Sequence, residues 1–310
     1  MKPLKSVVQE YLSLRRSLGF KLISTEYVLR WFLSFMEREH LTYITTKGVL
    51  QWVHGSEAVS LPQRSLRFGI IRKFAQYAHA LDAAHEVPPS RLLTHRTVRI
   101  NPHIYSNSEV LRLLEGCLVL PAGNGLRRYT YYTIFGLLSV TGMRVSEATS
   151  LRRDDVDLST GIITIQETKF SKTRCIPVHA STIHVLADYI RRRDEIHPNA
   201  DSSAFFLSDP GTALTTAVLR YTFLRISHRI GFRKPNQRYG PRIHDLRHTF
   251  AVKTVMRWYR EGVNVDQQMP LLSTYLGHVK PSDTYWYLSS VPELVGLAAA
   301  RLEAYQGGRR

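Results

Sequence analysis

Apolar residues recur at three- and four-residue steps through most of the first eighty positions, and that period predicts helices. Leu4, Val7, Val8, Tyr11 and Leu12 mark one over about 3–18. Val28, Leu29, Phe32, Leu33 and Met36 mark a second, capped by Ser24 or Thr25 and running to about His40. A third, short helix follows Thr45 and Thr46. A fourth covers about 61–81, with Pro62 in its first turn, where a missing N–H is harmless. Over 86–105 the rhythm stops. Pro88, Pro89 and Pro102 favour an extended chain there, which predicts a linker.

Helical periodicity then returns with interruptions. Ser106 and Glu109 have capping-box spacing. Residues 129–140 form a strongly apolar, central helix. Two β-rich runs, 161–166 and 174–178, are joined by 167–173 and predict a hairpin with lysines near its tip. Helices are expected over 182–193 and 215–230, with another opening within 242–250 and ending near Glu261. Phe205, Phe206 and Leu207 read as a short strand or buried extended piece. The stretch 271–288 ends one helix at Gly277, exposes His278 on a loop, and opens a second short helix at Pro281. That helix carries Tyr285 and Tyr287, which lie about 200° apart around its axis and face different ways. Leu294, Ala298, Leu302 and Tyr305 predict a helical tail over 291–305.

These patterns predict a mainly α protein with a small β-hairpin or sheet, of the α+β type. The expected divisions are 1–86 (helical), 87–104 (linker), 105–290 (a larger domain) and 291–310 (tail). At 310 residues two domains are natural.

Charge sharpens the picture. The formal net charge is +17 with a pI near 10.1. Residues 1–104 hold 15 Lys and Arg against 7 Asp and Glu, so the excess is not confined to one end. A balance this basic favours a polyanion, and nucleic acid above all. Arg64, Arg67, Arg72 and Lys73 on the fourth helix, with Arg96 and Arg99 in the linker, are candidate phosphate contacts. Cys117 and Cys175 form no C-x-x-C pair, so neither a disulfide framework nor a Cys-rich zinc site is encoded, which suits a reducing cytoplasm. No signal peptide and no apolar run near 18 residues is present, and no membrane partner is expected.

Four segments carry chemistry: TGMRVSEATSL, ETKFSKTRCIPVH, HDLRHTF and LGHVKPSDTYWY. In this order, in a basic C-terminal half, they resemble the tyrosine recombinases, the phage-integrase and Xer-like enzymes. The resemblance covers about 105–290, and the N-terminal helices are similar to the family's core-binding domain in type alone. It implies a helical core-binding domain followed by a catalytic domain. The implied activity is site-specific cutting and rejoining of double-stranded DNA through a 3′-phosphotyrosyl link, without metal, ATP or other cofactor.

By that resemblance Arg144 and Arg247 bind the scissile phosphate, a task suited to a permanently charged planar fork. Lys169 is the general acid, with Lys172 and Arg174 as phosphate contacts. The resemblance gives His244 to proton transfer, His278 to a phosphate hydrogen bond and Tyr287 to the nucleophile, with Tyr285 and Lys172 as rivals for the last role and the acid. Glu147 buttresses the site or its helix. His248, four residues after His244, lacks the Glu and third ligand of a zinc site and is expected to be structural. The implied assembly is a homo-tetramer on two DNA sites, with or without a partner recombinase, in the nucleoid-bearing cytoplasm. The tail is expected to dock on a neighbouring protomer. Two other readings remain: a type IB-like topoisomerase and a non-catalytic DNA-binding accessory protein. The lack of an extra N-terminal module points to a transposon, integrative-element or chromosome-resolution enzyme.

Overall fold

The computed structural model describes residues 2–55, 59–93, 101–121, 123, 125–166, 173–200, 202–234, 237, 240–278, 284, 285 and 296. The chain divides into two units, Met1–Ile100 and Asn101–Arg310.

Four helices account for the apolar rhythm of the first unit: α1 (Leu4–Ser17), α2 (Ile23–Arg38), α3 (Thr46–His54) and α4 (Leu61–Leu81). The long α4 packs against all three others. Leu12, Leu29, Phe32, Val49, Ile71 and Phe74 interlock at the centre, each essentially sealed from solvent. Thr45 caps α3 by accepting the Gly48 N–H at 3.1 Å. The cap expected for α2 is different. The helix begins at Ile23, its N-cap is Leu22 in the left-handed region (φ 48°), and no side chain caps it. Leu22 packs against the core of the unit, and that anchor, rather than a Ser or Thr hydroxyl, sets where the helix starts.

The described part of the expected linker is not free. Glu86 donates its N–H to the Ile44 carbonyl and accepts the Thr46 N–H. Ser65 holds the Leu93 carbonyl, and Arg72 holds that of Pro88. Arg96 and Arg99 lie outside the described residues.

The second unit opens with α5 (Asn107–Leu118), whose capping box forms through Ser106 and Glu109. Next come α6 (Leu126–Thr141) and the single-turn α7 (Val145–Thr149). Strands β1 (Val156–Asp157), β2 (Ile162–Ile165) and β3 (Arg174–Pro177) make an antiparallel sheet in the order β1-β2-β3, with Ile165 opposite Arg174. The remaining helices are α8 (Ala180–Ile196), α9 (Thr216–Arg229), α10 (Asp245–Arg260) and α11 (Val265–Leu276). Helix α6 is buried on most sides by α5, α8 and α10, as its near-continuous apolar sequence requires. Phe135, Ile134 and Leu138 on it meet Phe205, Phe206 and Phe223 in one core. A second cluster seals α10 to α11 through Val252, Val255, Met269, Leu272 and Leu276. Leu276, at the last turn of α11, is thereby packed against α10. The tail over 291–305 lies outside the described residues apart from Gly296.

Candidate active site

Three arginines from three elements meet at the carbonyl end of one helix. The last carbonyls of a helix have no intrahelical partner. At the end of α11 they accept from guanidinium groups instead: Tyr275 from Arg174 Nε at 2.8 Å, Leu276 from Arg247 Nη2 at 2.6 Å, and Gly277 from Arg144 Nη2 at 2.5 Å. The partial negative charge of that helix end favours the gathering of cations.

Each arginine is delivered by local chemistry. Helix α6 stops at Gly142, whose φ of +61° favours glycine, and a Cβ there would stand 2.5 Å from Cδ1 of Phe250. The reversal buries Met143 and places Arg144 at the N-cap of α7. Glu147 in the first turn of α7 accepts the Arg144 N–H and its Nη1, both at 2.7 Å. It also takes a two-pronged bond from Arg174, at 3.0 and 2.7 Å. Arg247, in the first turn of α10, is 2% exposed and donates Nη1 to the Gly142 carbonyl.

His278 follows directly. Its Nε2 lies 2.7 Å from Arg247 Nη2, and its Nδ1 lies 2.7 Å from the Thr284 hydroxyl. A guanidinium only donates, so Nε2 is an acceptor and the ring proton sits on Nδ1, pointing at Thr284. These two bonds leave His278 half-buried rather than exposed as expected. His244, the N-cap of α10, is exposed. Desolvation and the charges of Arg247, Arg242 and Arg144 hold it down at about 4, so it is neutral at physiological pH. His248 is buried edge-on against it, ring centroids 4.8 Å apart, and burial, with His244, Arg242, Arg247 and His278 nearby, lowers it to about 3.

Glu147 is the counter-charge of this cluster. Burial alone would raise its carboxyl, but the bonds and charges of Arg174 and Arg144 outweigh that and hold it at about 2. A depressed carboxyl contributes stability that is present above its unfolded value of 4.5 and is lost as pH falls through about 2. Glu147→Gln is therefore expected to unfold ~3 kcal/mol more easily at pH 7, with the gap to the native chain narrowing below pH 4.5, read by urea titration at stepped pH.

Gly277 ends α11 with φ +68°, and a Cβ on it would lie 2.9 Å from Arg174 Nη1 and 3.1 Å from Arg144 Nη1. Gly277→Ala is expected to lose ~1–2 kcal/mol from the left-handed backbone and to displace both guanidinium groups. Thermal melting checks the first effect.

The structure thus gathers Arg144, Arg247, His244 and His278. Arg174 is turned to Glu147 and the end of α11. Its side chain is one-tenth exposed and all three nitrogens donate inward, to Glu147 and Tyr275, because a buried carboxylate competes for the same planar fork that suits a phosphate. Arg72 is half-buried and spends its Nε on Pro88, while Arg67 stacks over Trp31 and Trp52, at 5.2 and 5.9 Å. Arg72 and Lys73 also fall about 80° and 180° around α4 from Arg64, so the four basic residues share no single face. Lys169, Lys172 and Tyr287 lie outside the described residues. Tyr285 is 41% exposed beside buried Thr284. The bracing pair Glu147–Arg174 was only half visible in sequence, since nothing local links residues 27 apart.

Among the described residues, no group of three His, Cys, Asp or Glu is placed to hold a metal ion, and no helix is long and apolar enough to cross a membrane.

Residues 106–293 match the phage integrase family. A putative integrase/recombinase, y4rB, of Sinorhizobium fredii (strain NBRC 101917 / NGR234) is 42% identical, covering 98% of both chains. Among solved structures, the Tn1549 transposon integrase with a circular intermediate DNA aligns at a TM-score of 0.65 and 16% identity, covering 96% of this chain and 99% of that one. A lambda integrase tetramer bound to a Holliday junction aligns at 0.59 and 16% identity, covering 91% and 79%. With the guanidinium cluster in place and a match over most of the second unit, the chain belongs to the phage integrase family, the tyrosine-type site-specific DNA recombinases.

Proposed function

We propose that this recombinase cuts and rejoins DNA through a 3′-phosphotyrosyl intermediate, with Tyr287 as nucleophile. The observation that supports this most is the convergence of Arg144, Arg247 and His278 at the end of α11, nine residues before Tyr287 in sequence.

The phenolic oxygen of Tyr287 attacks the scissile phosphorus, and the bond from phosphorus to the 5′ oxygen breaks. His244, neutral at physiological pH, takes the phenolic proton. Lys169 gives a proton to the leaving 5′ oxygen. Arg144 and Arg247 hold the non-bridging oxygens, where charge develops in the transition state. Because one phosphodiester is exchanged for another, its energy is kept and no ATP is required. A 5′ hydroxyl from a second duplex then attacks the tyrosyl link and reseals the strand. His278 acts on the phosphate as a donor, for which Nε2 must gain a proton it lacks while it accepts from Arg247.

Double-stranded DNA is the substrate, and four copies of the chain on two sites would pass through a Holliday junction. The lambda integrase tetramer, similar in fold, is bound to such a junction. The kinship with integrases, one of them from a transposon, favours a mobile-element role in the cytoplasm, on nucleoid DNA.

The test uses DNA flanking the gene, nicked beside candidate sites so that a cut strand cannot reseal. A covalent protein–DNA species attached at a 3′ end, with the DNA-linked peptide containing Tyr287, is expected. Tight specific binding without any covalent species, or attachment at a 5′ end, would overturn the reading.

A further inference from the structure

Arg174 makes three contacts that together look like a truss. It grips both oxygens of Glu147, which in turn grips Arg144, and it holds the Tyr275 carbonyl one residue before the one held by Arg247. It also opens β3, opposite Ile165 where the hairpin enters its connecting segment, while Gln166 on the other stem donates to Asp155 at 2.7 Å. One side chain therefore joins the loop-side end of the β2–β3 pair, the arginine-bearing turn after α6 and the carbonyl end of α11.

We propose that Arg174 is a positioning residue for strand cleavage, acting through Glu147 on Arg144. This rests on the reading in which Arg144 binds the scissile phosphate. The physical case is one of fork geometry. Glu147 faces two guanidinium groups, and its Oε1 is shared between Arg144 Nη1 at 2.7 Å and Arg174 Nη1 at 3.0 Å. With Arg174 in place, the carboxylate cannot swing, and Arg144 has one permitted orientation, Nη1 on Glu147 and Nη2 on Gly277. Without it, Glu147 is free to pair with Arg144 side-on through both oxygens, which draws the guanidinium away from the shared phosphate position. A lysine at 174 keeps the charge but not the two-pronged grip.

The experiment measures single-turnover adduct formation on a nicked site, DNA affinity by gel shift, and melting, for the full chain. Arg174→Met is expected to slow cleavage about 100-fold while DNA affinity stays within about threefold, and Arg174→Lys to slow it about tenfold. The deciding measurement is a double-mutant cycle with Arg144→Lys. If Arg174 works through Arg144, adding Arg174→Met to Arg144→Lys slows cleavage by less than about threefold further. Losses that multiply would overturn the role of Arg174 alone, as would a wild-type rate for Arg174→Met. Wild-type cleavage by Arg144→Lys would instead sink the phosphate role of Arg144, and this inference with it. Should Arg174→Met fail to fold, the same cycle is run with Arg174→Lys, whose charge preserves the ion pair with Glu147, and multiplying losses there overturn the proposal equally.

Discussion

Tyr287→Phe is expected to bind its DNA site normally and to form no covalent adduct. The substitution removes one oxygen and leaves ring, volume and charge as they were. DNA affinity should stay within about threefold of the native chain. Adduct formation should fall by ~10⁴-fold or more, since loss of the attacking atom removes the reaction and not merely an aid to it. End-labelled nicked DNA on a denaturing gel reads this directly. Tyr285→Phe is the matched control and should retain the adduct. Tyr285 is exposed beside buried Thr284, whose hydroxyl is held by His278. A covalent species in Tyr287→Phe, absent in Tyr285→Phe, would exchange the two assignments.

The second large effect separates the two arginines. Arg144→Ala and Arg247→Ala should each slow cleavage about 10²–10³-fold, because each removes donors from a phosphate whose charge grows in the transition state. Their folding stabilities should differ. Arg247 is sealed from solvent and is a partner of both the Gly142 and Leu276 carbonyls. Alanine leaves two buried acceptors unmet, at ~1–3 kcal/mol each. Arg144 is three-tenths exposed, the carbonyl it holds belongs to half-buried Gly277, which water can reach in its place, and Arg174 still holds both oxygens of Glu147 when Arg144 is gone. Urea titration should therefore show a clearly larger loss for Arg247→Ala, with cleavage lost in both. Equal losses of stability would mean that the carbonyl contacts of Arg247 add little to the fold.

Much of the fold was legible because its signals are local. Repeated apolar steps placed α1 and α4, Ser106 and Glu109 announced the start of α5, and Gly277 announced the end of α11. The start of α2 was not legible, since Leu22 holds a left-handed conformation that no cap residue advertises. Single-turn α7 is too short to show a period. At the site, motif order singled out candidate residues but not their attachments. Arg174 reads in sequence as a phosphate contact, and the fold brings residues 27 and 101 positions away beside it. His278 was misjudged as exposed for the same reason, as its partners Arg247 and Thr284 come from either side in sequence.

The triple grip on the end of α11 also fixes a leash. Carbonyls 275, 276 and 277 are each fastened, and His278 is tied to Arg247, so the chain leaves a rigid mooring at that residue. Nine residues cover at most about 30 Å when fully drawn out. The Tyr287 backbone is confined to a sphere of that radius around its own arginine pair. Any phosphate that the tyrosine reaches must lie within that radius of the mooring, plus the length of the side chain.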